Sequence, residues 1–239
     1  YDTSLISAGG GIFLRSAKSI TLTPEVRARF DIDRDSQDHR LSLGMRIASF
    51  LGALALAEEL SRRLDAPLLA AGYSRLLIDL NGPLEAPDSI PPHSEIYPVP
   101  GNRELSETVR RYRQDCLFHP FHQRLTQLLD ERQAAGVPTR VVGVHSFTPV
   151  YHGRPRPLVA GVLYRNAGAY AGRILDGLRR HGLEVAGNQP YAIDPAEDTT
   201  VPVHGDARGL EAVLLEIRND GLRTPDAVSA WAERLYPWL

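Results

Sequence analysis

Val141-Val142-Gly143-Val144-His145-Ser146-Phe147-Thr148-Pro149 is the stretch on which the fold turns. Val141, Val142 and Val144 form an apolar run that stops at an imidazole, a hydroxyl and a turn-forming proline, the pattern of a buried strand and its end. His145 then falls at the strand's C-terminal end, where open α/β sheets place their ligands. A neutral imidazole there can bind a metal or move a proton. The plainer alternative is a histidine that only hydrogen-bonds at a strand end.

Outward from this strand, apolar segments of two periods alternate. On the N-terminal side, residues 2–8 read as a first strand running into Gly9-Gly10-Gly11. An acidic stretch follows, with Asp31, Asp33, Asp35, Asp38 and then His39. Ile47, Leu51, Leu54, Ala57, Leu60 and Leu64 recur at helical spacing, with Glu58, Glu59, Arg62 and Arg63 mostly off that stripe and Pro67 beyond it. Residues 76–80 (Leu-Leu-Ile-Asp-Leu) read as a second strand, and 83–100 as a Pro-rich loop without periodicity. Residues 104–135 read as a helix broken or kinked near Pro120. On the C-terminal side the pattern predicts a strand over 158–163, a helix over 168–181, a strand over 210–218 and a helix over 226–236. Strands alternating with helices predict one α/β domain spanning 1–239, with helices on both faces of a sheet.

Composition narrows the function classes. Lys plus Arg is 27 against 29 Asp plus Glu, a formal charge of −2, which gives no electrostatic reason to expect nucleic acid or an anionic membrane as partner. No apolar stretch approaches the ~20 residues that span a bilayer. Cys116 is the one cysteine, so neither an internal disulfide nor a cysteine-based zinc cage is possible, and a cytoplasmic setting is expected. Cys116 has no flanking basic cluster and reads as a packed helix residue.

Several segments could carry chemistry. Glu216 stands in Val-Leu-Leu-Glu-Ile-Arg (213–218); alternation puts Glu216 and Arg218 on one face and Leu215 and Ile217 on the other. A carboxylate in so apolar a run is a general-base candidate, the alternative being an edge strand with a wet polar face. Arg75, Leu77, Asp79 and Asn81 would share a face by the same alternation, while Asn81-Gly82-Pro83 is itself a strong turn signal. His119 and His122, three apart in Phe-His-Pro-Phe-His, are a possible metal pair or packing histidines beside Phe118 and Phe121.

Taken in order, Tyr73–Asn81, Pro87–Pro91, Pro100–Arg103, Phe118–His122, His145–Pro149, Asn188–Tyr191 and Glu216–Arg218 resemble the N-formylglutamate amidohydrolase family. The resemblance implies a zinc-carboxypeptidase-like α/β fold with a mixed, mostly parallel sheet, and hydrolysis of an N-formyl or N-acyl amino acid, a small molecule. It implies zinc as cofactor, with His145 as a ligand and Asp33 the nearest match to the family's Asp before the first helix. Glu216 resembles the glutamate that works with the metal-bound water. Arg75, Asn81, His119 and Arg218 become substrate-binding candidates. Two departures stand out. The family's first strand leads into a histidine, whereas Ala8 here leads into three glycines. The family's Asp-x-Asn-Arg ends in Gly82, which removes one guanidinium and predicts weak discrimination between acidic and neutral N-acyl amino acids. An inactive member with a lost metal site, kept as a binding or regulatory protein, is the competing expectation.

Overall fold

The strand containing His145 lies at one edge of a four-stranded sheet. A computed structural model of the chain describes residues 52–71 and 73–239. The predicted strand 2–8, the acidic stretch with Asp33, and the start of the first helix lie outside them. The elements run as α1 (52–64), β1 (His93–Ser94), β2 (Tyr97–Pro98), α2 (Glu107–Arg113), α3 (His119–Ala134), β3 (Arg140–Phe147), β4 (Val150–Tyr151) and β5 (Arg154–Pro155). They continue with β6 (Ala160–Leu163), α4 (Gly168–Arg179), β7 (Val185–Gly187), β8 (Glu211–Arg218) and α5 (Pro225–Leu235). Among the described residues no helix is long and apolar enough to cross a membrane.

The sheet is mixed. β3 and β8 run parallel from Arg140 opposite Glu211 to Phe147 opposite Arg218. β6 lies antiparallel on the other side of β8, and β7 parallel beyond it. β8 therefore has partners on both edges, and Ala212 through Ile217 are all buried, which rules out a wet edge strand. A strand this apolar must be covered on both faces, and it is. Val213, Leu215 and Ile217 pack with Leu56 and Leu60 of α1, Ile174 and Leu178 of α4, and Trp231 and Leu235 of α5. Ala212 and Leu214 point to the opposite face, against Phe121, Leu125 and Leu129 of α3 and the buried Ile78, Leu80 and Ile90. Each fully buried Leu or Ile of these layers contributes roughly 1.5–3 kcal/mol over its exposed state.

Local chemistry sets the helix ends. The hydroxyl of Thr224 accepts from the Ala227 N–H at 3.2 Å, with Pro225 in the first turn; such a cap is worth about 1 kcal/mol. The expected irregularity near Pro120 is a wide turn, Gln114–Phe118, in which the His119 N–H reaches back to the carbonyl of Gln114. Pro120 has no N–H to donate, and the helical path from α2 into α3 continues through that turn.

Three readings are corrected. Residues 76–80 form no strand: the Leu77 N–H closes a turn on Ser74 and the Asp79 N–H goes to Ser89. Ile78 and Leu80 are buried, so the apolar pattern is real but serves a loop docked on α3. Its backbone is held by side chains: Asn102 donates to the carbonyls of Leu76 and Pro91, and Arg113 donates to Leu77 and to Asn102. Arg75 and Asp79 consequently meet across a turn rather than along a strand face. Cys116 is exposed, because the wide turn carries it away from buried Leu117 and Phe118.

Candidate active site

His145 and Glu216 are opposite residues in the parallel β3–β8 register, so their side chains leave the sheet on the same face. Nδ1 of His145 stands 3.8 Å from Oε1 of Glu216, with 13% and 9% of the side chains exposed. That separation is too long for a hydrogen bond. Burial pushes the Glu216 carboxyl up to about 8, against the pull of Arg75 and Arg156, and brings the His145 imidazole down to about 4. Burial thus opposes charge on both members of the pair. Among the described residues Nε2 of His145 is buried without a hydrogen-bond partner, which leaves its lone pair or proton available to a ligand.

The opposite neighbour of Glu216, on β6, is Gly161. A Cβ at that position would collide with the carbonyl oxygen of Gln189. The glycine lets the segment after β7 cross close over β6, led by Asn188, whose backbone N–H donates to Val162 and whose side chain accepts from the Tyr164 N–H. The Gln189–Pro190 peptide bond is cis. Tyr191 follows, and its hydroxyl accepts from Nη1 of Arg156 at 2.8 Å.

The facing wall is the 75–82 segment. Arg75 pairs with Asp79 at 3.1 Å. Oδ1 of Asp79 accepts from the N–H groups of Asn81 and Gly82, a side-chain-closed turn. Asn81 donates to Asp198 at 2.6 Å and accepts from the Thr200 N–H at 3.3 Å. Asp198 is held above its ordinary carboxylate range, chiefly by burial. A Cβ at Gly82 would make only ordinary contact with the Glu197 carbonyl, so packing there does not demand glycine.

The remaining candidates fall in different places. His119 is exposed at the start of α3, facing Asp115 at 3.9 Å. Arg218 is committed to its own chain: Nε donates to Asp220, and Nη1 to the carbonyls of Arg156 and Pro157. Its guanidinium thus fixes the backbone on which Arg156 is mounted. His122 and His204 form a second buried pair, Nδ1 to Nε2 at 2.8 Å, with Nε2 of His122 at 3.0 Å from the Leu80 carbonyl. Because that carbonyl only accepts, His122 carries its proton on Nε2 and accepts from His204 through Nδ1. The pair anchors the 78–82 segment from below. Arg156 is the residue that reading along the chain passed over; nothing in its own neighbourhood, Gly-Arg-Pro-Arg-Pro, separates it from a surface arginine.

The fit to a metal ion is incomplete. A catalytic zinc takes three protein ligands, and His145 with its free Nε2 supplies one. Among the described residues no group of three His, Cys, Asp or Glu side chains converges to hold an ion.

Comparison with known proteins places this geometry. The family model for N-formylglutamate amidohydrolase matches residues 26–222, which include His145, Glu216 and both walls. The chain belongs to the N-formylglutamate amidohydrolase family. The fold resembles a gene product of Agrobacterium tumefaciens at 41% identity, covering 78% of this chain and 74% of that one, with a TM-score of 0.73. It also resembles the N-formylglutamate amidohydrolase of Ralstonia eutropha JMP134 at 21% identity, covering 77% and 78%, with a TM-score of 0.54. At the N-terminus the likeness changes. Residues 1–47 match the model for the catalytic domain of bacterial NAD-glutamate dehydrogenase. A stretch of 35 residues is 77% identical to the NAD-specific glutamate dehydrogenase of Pseudomonas aeruginosa and 63% identical to that of Halomonas elongata. The match spans 15% of this chain and 2% of the length of those relatives. The region where the family's first histidine was expected thus has the sequence character of a different protein, and Asp33 lies where the two matches overlap.

Proposed function

We propose that the chain is a zinc-dependent amidohydrolase that cleaves N-formyl or N-acyl amino acids of the N-formylglutamate type. The observation that carries this reading is the pairing of His145 and Glu216 across two parallel strands, with both side chains largely buried. Zinc, when bound, would polarise the scissile carbonyl and lower the pKa of a bound water to about 7. His145 would hold it through Nε2, with further donors from residues before 52, Asp33 among them. Glu216, whose carboxylate form the charge of a bound zinc would favour, would take a proton from water and return it to the leaving amine. Asn81 and Arg75 form the wall against which the acyl amino acid would lie; His119, exposed, would reach substrate only at the rim. A reducing, cytoplasmic setting suits the lone, exposed Cys116.

One observation favours a second reading, a binding protein without turnover. Residues 1–47 resemble another family, and the described residues do not complete a ligand set. The test is formate release from N-formyl-L-glutamate by purified protein, with zinc content measured on the same preparation. We expect turnover and close to one zinc per chain, both lost in His145→Ala. Protein that takes up no zinc and releases no formate, yet binds the substrate, would establish the second reading.

A further inference from the structure

Three arginines stand around Glu216 and its strand end, and they differ in how their charge is met. Arg75 is paired with Asp79 at 3.1 Å and lies 4.0 Å from Asp88. Arg218 is paired with Asp220 at 2.8 Å. Arg156 has no carboxylate within ion-pair distance among the described residues. Aromatic rings hold it instead: its guanidinium carbon lies 4.3 Å from the centre of the Tyr151 ring, 5.1 Å from Tyr191 and 5.6 Å from Phe147. Only Nη1 is engaged, by the Tyr191 hydroxyl; Nε and Nη2 have no acceptor among the described residues. Two of these rings place it beside the His145–Glu216 pair: Phe147 lies two residues beyond His145 on β3, and Tyr191 follows the Gln189 that crosses over Gly161, the residue opposite Glu216.

Rings against a guanidinium stabilise the cation without consuming its N–H edge. The edge is the part that matches a planar carboxylate, two N–H groups to two oxygens. The cage is assembled from three separate parts of the chain: the end of β3, the β4–β5 hairpin, and the loop that Gly161 admits over the sheet. Arg218 clamps the carbonyls of Arg156 and Pro157 beneath it. This is an arrangement that fixes a cation and keeps its anion-binding edge free.

We propose that Arg156 is the receptor for a substrate carboxylate, supplying the guanidinium that Gly82 does not. The proposal rests on the amidohydrolase reading for the identity of the substrate, though not for the binding of the anion. A glutamate derivative carries two carboxylates, and isomeric substrates separate them. N-formyl-L-glutamine keeps only the α-carboxylate, and N-formyl-L-isoglutamine only the side-chain one. kcat/KM for these and for N-formyl-L-glutamate is to be measured on the wild-type protein, Arg156→Met and Arg156→Lys. We expect Arg156→Met to lose about 10- to 100-fold, mostly in KM, on N-formylglutamate and on whichever isomer keeps the bound carboxylate. The other isomer should be unaffected, and Arg156→Lys should lose less. Equal losses on all three substrates, or none, would overturn the proposal. Binding of glutarate, followed by NMR titration, keeps the test independent of turnover and of folding defects in one variant. If wild-type protein hydrolyses none of the three, the amidohydrolase reading fails. Arg156 is still supported if Arg156→Met and the milder Tyr191→Phe both weaken glutarate binding, and overturned if neither does.

Discussion

The buried His122–His204 pair makes acid the most telling perturbation of this fold. Burial brings both imidazoles from an ordinary 6.5 down to about 4. His122 Nε2–H is committed to Leu80 and its Nδ1 to His204, and Nδ1 of His204 is buried with no partner among the described residues. A proton added to the pair is therefore a charge placed where burial has removed most of its hydration. The sign follows from linkage. Between pH 6.5 and 4 the unfolded chain binds protons that the folded chain refuses, so stability rises with pH across that window and is lost on acidification. A depression of about 2.5 units corresponds to roughly 3 kcal/mol per histidine at 1.36 kcal/mol per unit, with less than twice that for the pair because the two protonations compete at one hydrogen bond. That is a large share of a domain's typical 5–15 kcal/mol. Urea unfolding at pH 7.5, 6.5, 5.5 and 4.5 reads it directly. His204→Gln keeps a donor for His122 and removes one titrating group. The wild-type protein should lose about 2–3 kcal/mol more than the variant between pH 7 and 4. Surface carboxylates affect both proteins alike, so the difference isolates the pair. Parallel stability curves for the two proteins would refute the reasoning.

Two further outcomes bear on the site. Glu216→Gln should leave the fold and the zinc content intact while formate release falls by about 10²-fold or more; near-normal turnover would remove the carboxylate from the mechanism. Gly161→Ala places a methyl group against the Gln189 carbonyl, and overpacking of this kind costs about 1–3 kcal/mol. The displaced 188–191 loop should raise KM through Tyr191 and Arg156; a crystal structure of the variant with that loop unmoved would contradict the role given to the glycine.

The strands β3, β6 and β8, the helices, and the placement of His145 and Glu216 at a sheet end were legible along the chain, because apolar periodicity is a local signal of how a segment is buried. The same signal misled at 76–80. Ile78 and Leu80 are as buried as strand residues, yet Ser89, Asn102, Arg113 and His122 take up the backbone groups that a neighbouring strand would have met. Hydrogen-bond partners distant in sequence leave no periodicity. Arg218 shows the same limit for a side chain: strand alternation groups it with Glu216, but only the fold brings the Arg156–Pro157 carbonyls and Asp220 around it, giving a candidate substrate ligand the further part of a backbone clamp. The chain determined by itself which segments are buried and which residue types are available for chemistry. Tertiary structure decided which of those residues meet, since the environment of Arg156 is built from Phe147, Tyr151 and Tyr191, and a guanidinium's role depends on whether a carboxylate or an aromatic ring is what the folded chain sets against it.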